Sequence, residues 1–230
     1  MERRKRVFIS TPAYEGKVWV QYALSLLDTC KVLEMNGYEC MVKMPVGSSL
    51  LIADRNRILQ MFWEVEADYL LCVDSDLGWD PFAVLRLLEA DKDFSGGVYP
   101  SRDNTGFTFR PEFEEDGRIV MCPETKLLKM QYIPAGFMLI KRIVVEKMKE
   151  KFAHTWYSPK DSRSGKESAH CLFDTEVYDG EFWGEDYVFC RRARETGFDI
   201  WVDPLFHFDH AGIQGRLMQI LTDKPQEGQR

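Results

Sequence analysis

The sequence predicts an α/β fold in which helices flank a mainly parallel β-sheet, and three observations predict this class. Apolar strand patterns alternate with amphipathic helix patterns through residues 6–100, as in proteins with parallel sheets. Segment 69–73 is apolar at every position, which is typical of a strand buried on both faces. After Pro100 short strand-like segments follow one another without helices, which predicts a small antiparallel addition in the C-terminal half.

The first half of the chain contains the regular alternation. Asn36-Gly37 ends the first helix, and Asp80 and Pro81 are typical of an N-cap and a first helical position. The predicted strands are 6–10, 38–44, 69–73 and 94–99, and the predicted helices are 18–35, 52–67 and 81–90.

The second half is less regular. A polar stretch over 158–180 is long for a loop inside a compact domain, and we interpret it as a candidate lid. The other predicted elements are short strands at 107–110, 118–122 and 127–132, a buried strand at 135–140, helices at 141–152 and 182–196, and a last strand at 198–202.

Composition and charge limit the function classes. A formal net charge of −7 argues against a nucleic-acid-binding surface that is basic throughout, although local basic patches stay open. No apolar run approaches the roughly 20 residues that span a bilayer, and the charged residues 1–6 lead into a strand without the hydrophobic region of a signal peptide. The six cysteines form no Cys-x-x-Cys pair. We therefore expect free thiols and a cytoplasmic protein with no membrane span.

Two carboxylates one residue apart, Asp74 and Asp76, follow the buried strand 69–73. In open α/β sheets, ligands bind at the carboxyl ends of the strands. Acids with this spacing could hold one divalent cation, or divide a metal and a sugar hydroxyl between them. An Asp-rich turn without a ligand is the alternative.

Two further clusters lie at predicted element ends. Glu185 and Asp186 begin a helix, where acids are also favoured by the helix dipole alone. His207 and His210 follow the last predicted strand, where ordinary histidines are the alternative. Together with the Asp pair, these clusters predict a site for a hard cation with a carboxylate base nearby.

In this order, the motifs resemble those of family 2-like GT-A glycosyltransferases, and within them the small phage-associated members. The resemblance spans roughly residues 7–212, and no single motif carries it. The matching segments are Ile9-Ser10-Thr11-Pro12-Ala13-Tyr14, Arg55-Asn56, Val73-Asp74-Ser75-Asp76, Tyr99-Pro100, Trp183-Gly184-Glu185-Asp186, Trp201-Val202-Asp203-Pro204 and His210-Ala211-Gly212.

The resemblance implies a single GT-A domain over 1–230. Its nucleotide-binding half would cover about 6–100 and its acceptor-binding half about 101–212, with a polar tail at 213–230. The implied activity is metal-dependent transfer of a hexose or pentose from a nucleotide sugar, with a UDP-sugar as the leading donor. For a phage-encoded protein, the location would be the host cytoplasm.

The resemblance also implies roles for individual residues on the donor side. Asp74 would contact the ribose, and Asp76 would hold Mn²⁺ or Mg²⁺ on the diphosphate. His210 fits the position of a second metal ligand better than His207, and the choice stays open. The remaining donor-binding candidates are Thr11, Pro12 and Tyr14 in the nucleotide pocket and Arg55 near the phosphates.

The acceptor side has its own candidates. An inverting transfer needs a carboxylate that takes the acceptor proton, and we assign this role to Asp186, with Glu185 sharing it or binding the acceptor. A retaining transfer would not need that base. Gly136, which belongs with the donor-binding candidates, lies at the start of the buried strand at 135–140, where the lack of a side chain would let a sugar approach the backbone.

The acceptor itself is left open between a hydroxymethylated DNA base and a glycan. DNA would need a basic strip, for which the candidates are Arg102, Arg110, Lys160, Arg163 and Lys166. Two other functions stay as alternatives. A nucleotidyltransferase would be expected to carry a Gly-rich phosphate loop after the first strand, which the sequence lacks. A non-catalytic module that binds nucleotide sugars is the other. The sequence does not indicate the oligomeric state.

Overall fold

A computed structural model describes residues 3–102, 106–158 and 169–222 of the chain. The first five helices lie close to their predicted positions because their amphipathic patterns determine them, whereas the sixth falls in the segment predicted as a polar tail. They are α1 (Val20–Met35), α2 (Leu51–Glu64), α3 (Phe82–Glu89), α4 (Arg142–Lys151), α5 (Glu185–Glu195) and α6 (Leu217–Thr222).

The strands are mostly short. Eight of them form the central sheet: β1 (Arg6–Ser10), β2 (Glu39–Lys43), β3 (Tyr69–Val73), β5 (Phe94–Gly96), β6 (Arg110–Pro111), β7 (Leu128–Tyr132), β8 (Phe137–Lys141) and β13 (Ile200–Val202). The others form small sheets: β4 (Leu77–Trp79), β9 (Trp156–Tyr157), β10 (Ala169–His170), β11 (Glu176–Tyr178), β12 (Glu181–Trp183), β14 (Phe208–His210) and β15 (Ile213–Gly215).

The central sheet has the order β2-β1-β3-β8-β5-β13-β7-β6. Strands β8 and β7 run against the other six, so the sheet is mainly parallel, as predicted. The small sheets are antiparallel. Because β8 lies between β3 and β5, the predicted nucleotide-binding and acceptor-binding halves share this sheet.

Each face of the sheet carries its own core, as the two-residue period of a strand requires. Leu70 and Cys72 pack on one face with helices α2, α4 and α5, while Leu71 and Val73 pack on the other with α1 and α3. All of β3 is therefore buried, and its carboxyl end opens directly onto the site. Among the helices of the described residues, none is long and apolar enough to cross a membrane.

Several short elements differ from the prediction. Helix α3 begins at Phe82 rather than Pro81, and the Asp80 carboxylate accepts from the Phe82 N–H at 2.9 Å. Two strands, β14 and β15, follow the strand that was predicted to be the last. They were not predicted because a strand of three residues carries too little periodicity to be recognised. Residues 213–222, assigned to the polar tail, form β15 and α6, where the Leu217 side chain is buried in the core. Residues 159–168 of the predicted lid and 223–230 of the tail lie outside the described residues, while residues 169–180 of the predicted lid contain β10 and β11.

Candidate active site

The turn after β3 carries the acid pair. The Asp74 N–H donates to the Gly136 carbonyl, and the Asp76 carbonyl accepts from the Ala211 N–H, both at 3.0 Å. Asp76 is only 4% exposed. Its Oδ1 has no hydrogen-bond partner among the residues that the structure describes. A buried carboxylate oxygen is costly to leave unpaired, so this atom fits a ligand.

His210 lies beside this acid because β14 pairs with β4, with His210 opposite Leu77. Its Nδ1 is 2.6 Å from the Pro100 carbonyl oxygen, which can only accept, so Nδ1 carries a proton and donates. In the neutral ring, Nε2 then presents a lone pair 3.4 Å from Oδ2 of Asp76. Metal-binding histidines commonly adopt this arrangement, in which the second ring nitrogen donates to a carbonyl.

His207 was the alternative metal ligand. It is exposed and lines a different cleft with Asp209 and Arg216. His210, by contrast, is only 7% exposed. The structure therefore brings His210, and not His207, to Asp76.

The guanidinium of Arg102 lies between these two residues. Its Nη2 is 2.5 Å from Oδ2 of Asp76, and its Nε is 3.4 Å from Nε2 of His210. Burial raises the pKa of Asp76, but the contacts with His210 and Arg102 outweigh burial and leave that pKa below its ordinary value. Burial lowers the pKa of His210, but its contacts with Asp76 and the Pro100 carbonyl leave that pKa above its ordinary value.

These residues fit a divalent cation. A carboxylate and a neutral imidazole are suitable ligands for Mn²⁺, and Arg102 shows that the position already attracts positive charge. Within the described part of the chain, no group of three or more His, Cys, Asp or Glu side chains is placed to hold a metal. The protein would therefore supply two ligands and leave the remaining positions to phosphate oxygens and water.

Arg55 on α2 connects the two acidic clusters. It is only 4% exposed, although a charged side chain in a first helical turn commonly faces solvent. Its Nη2 donates to Oδ1 of Asp74 at 3.2 Å. Its Nε lies 3.2 Å from Oε1 of Glu185, an ion pair without hydrogen-bond geometry. Next to it, the Asn56 side chain makes two hydrogen bonds with the backbone of Phe173, whose ring lies against Arg55.

The second cluster, Glu185 and Asp186, begins α5 as predicted. Burial, and then the neighbouring Glu185 charge, raise the pKa of Asp186 to about 6, while Arg55 opposes this rise. Oδ1 of Asp186 accepts from the Tyr187 N–H at 2.8 Å. The helix dipole favours an ionised acid here, but burial is the larger effect. A carboxyl group that titrates near neutral pH is suited to general base catalysis.

Tyr99 links the metal-binding candidates to the rest of the site. Its ring packs edge-on against the His210 ring, with centroids 4.9 Å apart, and its hydroxyl donates to Oδ2 of Asp74 at 3.3 Å. A Cβ on Gly136 would lie 2.0 Å from that hydroxyl and 2.5 Å from the same Asp74 oxygen. Gly136 is thus required for the packing of Tyr99 against Asp74, a reason that the sequence did not indicate.

The three residues of the predicted nucleotide pocket differ in exposure. Thr11 is fully buried, and its hydroxyl hydrogen-bonds to the Tyr22 hydroxyl at 2.6 Å. Pro12 is half-buried, while Tyr14 is exposed and lines a cleft of about 740 Å³. Trp19, which the sequence did not single out, lines the same cleft. Its backbone N–H donates to the Ser75 carbonyl at 2.9 Å.

The residues proposed for a DNA-binding strip do not form one within the described residues. Arg102 pairs with Asp76, and the Arg110 guanidinium lies 5.7 Å from the centroid of the Tyr132 ring. Lys160, Arg163 and Lys166 lie outside the described residues.

Comparison with known proteins supports the fold. No family model and no curated protein matches the sequence. The solved structure of A197 from STIV is similar over 90% of this chain and 85% of that chain, with 16% identity and a TM-score of 0.50. This likeness bears on the fold alone and agrees with the predicted class.

Two other solved structures are less similar. S. aureus TarS 1-349 shares 15% identity over 86% of this chain and 58% of that chain, with a TM-score of 0.46. The inositol-1-phosphate CTP transferase from T. maritima shares 14% identity over 86% and 84%, with a TM-score of 0.42. Neither likeness carries an argument about activity. None of the three structures supports the resemblance to the phage-associated subgroup.

Proposed function

We propose that this chain is a metal-dependent glycosyltransferase that moves a sugar from a nucleotide sugar to an acceptor hydroxyl with inversion. One observation carries the proposal: Arg55 joins Asp74, in the turn that also holds Asp76, to Glu185, which adjoins Asp186. The acids of the donor side and of the acceptor side therefore belong to one network around the carboxyl end of β3.

On the donor side, Asp76 and His210 would hold Mn²⁺ or Mg²⁺. When bound, such an ion offsets the negative charge that grows on a diphosphate leaving group. Asp74 would bind the ribose, and Pro12 and Tyr14 would line the nucleotide pocket. Thr11, which the sequence also placed there, is fully buried and would support the pocket through its hydrogen bond with Tyr22. Arg55 acts less directly than the family resemblance implies, because its guanidinium is already engaged by two carboxylates. We retain a UDP-sugar as the leading donor.

On the acceptor side, Asp186 would take the proton from the acceptor hydroxyl. Its raised pKa leaves it ionised at neutral pH and basic enough to accept a proton. Glu185 keeps that pKa high and would hold the acceptor. The expected approach of a sugar to Gly136 is not retained, because Tyr99 and Asp74 already fill the space beside this glycine. Inversion follows if Asp186 acts as this base on the face opposite the leaving group.

A screen of donors tests the proposal. Thermal shift of the full chain with UDP-, GDP-, TDP- and CDP-sugars, with and without Mn²⁺, identifies the donor because ligands of the native state raise the melting temperature. The selected donor is then incubated with hydroxymethylated DNA, unmodified DNA or glycans, and the products are analysed. We expect release of a nucleoside diphosphate and a β-for-α or α-for-β change at the anomeric carbon.

The products separate the alternatives. Pyrophosphate release from a nucleoside triphosphate and a sugar phosphate would indicate a nucleotidyltransferase instead. Donor binding without any turnover, across all acceptors, would indicate a binding module. Asp76→Asn should lose metal-dependent turnover, while Asp28→Asn, an exposed acid paired with Lys31 on α1, should keep it. Full activity of Asp76→Asn would contradict the proposal.

A further inference from the structure

Two cysteines that the proposed reaction does not use lie next to each other. Sγ of Cys30 on α1 is 2.8 Å from Sγ of Cys40 on β2, and both residues are half-buried. A disulfide bond is about 2.05 Å long, so the two sulfur atoms need to approach by less than about 1 Å. The Sγ atoms of Cys122, Cys171 and Cys190 contact carboxylate, amide or carbonyl groups instead.

The fold determines this proximity. Helix α1 ends at Met35, the chain reverses through Gly37 at a φ of 85°, and β2 returns beside the helix. Cys30 lies in the last part of the helix and Cys40 near the start of the strand. Since the turn is short and β2 is paired with β1 along its length, the two thiols are held together.

We propose that Cys30 and Cys40 are a redox-active pair that small-molecule disulfides, such as oxidised glutathione, convert to an intramolecular disulfide. The Cys30 thiolate attacks one sulfur of the small disulfide and releases the first thiol. The Cys40 thiol loses its proton, and its sulfur attacks Cys30 in the mixed disulfide and releases the second thiol. The protein loses two protons and two electrons, and the small disulfide gains them to give two thiols.

The environment of the pair favours this order of attack. The hydrogen bond with Cys40 lowers the pKa of the Cys30 thiol, while the same contact raises the pKa of Cys40. Cys30 is therefore the better first nucleophile. Both residues are half-buried, whereas Cys72, Cys122 and Cys190 are buried, so a small reagent should reach the pair more readily than those three.

The Cys30–Cys40 disulfide would also restrict the motion of helix α1, which contacts β4 next to the candidate site. Helix α1 positions β4 through two side chains: Ser25 accepts from the Trp79 N–H at 3.0 Å, and Thr29 accepts from the Trp79 indole at 2.9 Å. A cross-link between α1 and β2 fixes this helix against the sheet edge. Closing so short a loop should raise the melting temperature by roughly 5 °C.

The test uses the full reduced chain and a series of glutathione redox ratios. Samples are alkylated under denaturing conditions, and intact mass and peptide mapping follow. Of the six cysteines, four should be alkylated in the oxidised protein, with a linked Cys30–Cys40 peptide. Cys30→Ser and Cys40→Ser should lose the linked peptide. Cys171→Ser, which removes a half-buried thiol outside the pair, should keep it.

Three results would overturn the inference: six alkylated cysteines at every ratio, a glutathione adduct that persists on Cys30, or a linked peptide involving other cysteines. The melting temperature of the oxidised wild type, compared with the reduced wild type and with oxidised Cys40→Ser, tests this restriction of α1. An unchanged melting temperature in the cross-linked protein would contradict it. None of these measurements depends on the proposed transferase activity.

Discussion

The site contains two acidic pairs that contact the same arginine, and the pKa of one member of each pair, Asp76 or Asp186, is shifted in the opposite direction to the other. In each pair the first acid, Asp74 or Glu185, contacts Arg55. The second acids differ: cationic neighbours lower the pKa of Asp76 despite its burial, whereas burial and a like charge raise the pKa of Asp186. Carboxylates whose environments separate their pKa values commonly have different roles. The difference supports the proposed division, in which one pair would bind a cation and the other would transfer a proton.

Of the substitutions that test this difference, Asp186→Asn should have the largest effect, and the effect should be on turnover. The amide keeps the hydrogen bond that Asp186 accepts from the Tyr187 N–H but cannot take a proton. We expect turnover to fall by about 10³-fold with little change in donor binding. Steady-state kinetics with the donor and acceptor identified above provide the measurement, and Asp28→Asn serves as the charge-matched control. Near-normal turnover would remove Asp186 from its role as base.

Arg55→Met tests the link between the pairs. The change leaves two carboxylates without their shared cation, so we expect a loss of about 3 kcal/mol in the free energy of unfolding. The melting temperature should fall by about 6 °C in a chain of this size. Arg55→Lys should lose less because it keeps the charge. In an Asp74→Asn, Glu185→Gln background, Arg55→Met should cost clearly less, and an equal cost there would show that Arg55 stabilises the fold by packing alone.

Glu185→Gln tests why the two second acids titrate differently. A base acts when deprotonated, so activity of the wild type should rise with pH around a midpoint near the pKa of Asp186, about 6. Removing the Glu185 charge lowers that pKa, and the acid limb should move to lower pH. Burial remains, so the midpoint should stay above that of an ordinary aspartate. The pH dependence of kcat measures this, and a shift to higher pH would refute the explanation.

Arg102→Ala should have the smallest effect. Its guanidinium contacts both Asp76 and His210 and would compete with the proposed cation there, so removing it should strengthen binding of Mn²⁺ alone. Arg102 is largely exposed, and water weakens its ion pair, so the gain should be only about threefold. Arg118→Ala, which removes an exposed arginine paired with Asp116, is the control. Weaker Mn²⁺ binding by Arg102→Ala would mean that Arg102 supports the site rather than competes for it.

Much of the fold could be predicted because it is encoded locally. The apolar pattern gave β1 and β3 with the bounds that the structure has, and α1 and α2 to within a few residues. The position of β8 could not be predicted in this way. Its pattern resembles that of any buried strand, and its antiparallel insertion between β3 and β5 depends on contacts far apart in the chain.

The sequence indicated the acidic residues of the candidate site better than its arginines. Asp76, Asp186 and His210 follow or begin recognisable elements, which is where site residues are expected. Arg55 was as consistent with a solvated helix face, and contacts with Asp74, Phe173 and Glu185, all distant in sequence, bury it. Arg102 was a candidate for a DNA-binding strip, and its contact with Asp76 needs the turn after Pro100. Such contacts are set by tertiary structure and leave no pattern in a single sequence.

The division between the two acidic pairs is tested most directly by calorimetric titration with Mn²⁺ and the nucleoside diphosphate of the selected donor. Wild type, Asp76→Asn and Asp186→Asn are compared at pH 7.5. Asp76→Asn should lose Mn²⁺-dependent binding, and Asp186→Asn should bind like the wild type. Retained binding in Asp76→Asn, or its loss in Asp186→Asn, would contradict the assignment of the cation to one pair and the proton to the other.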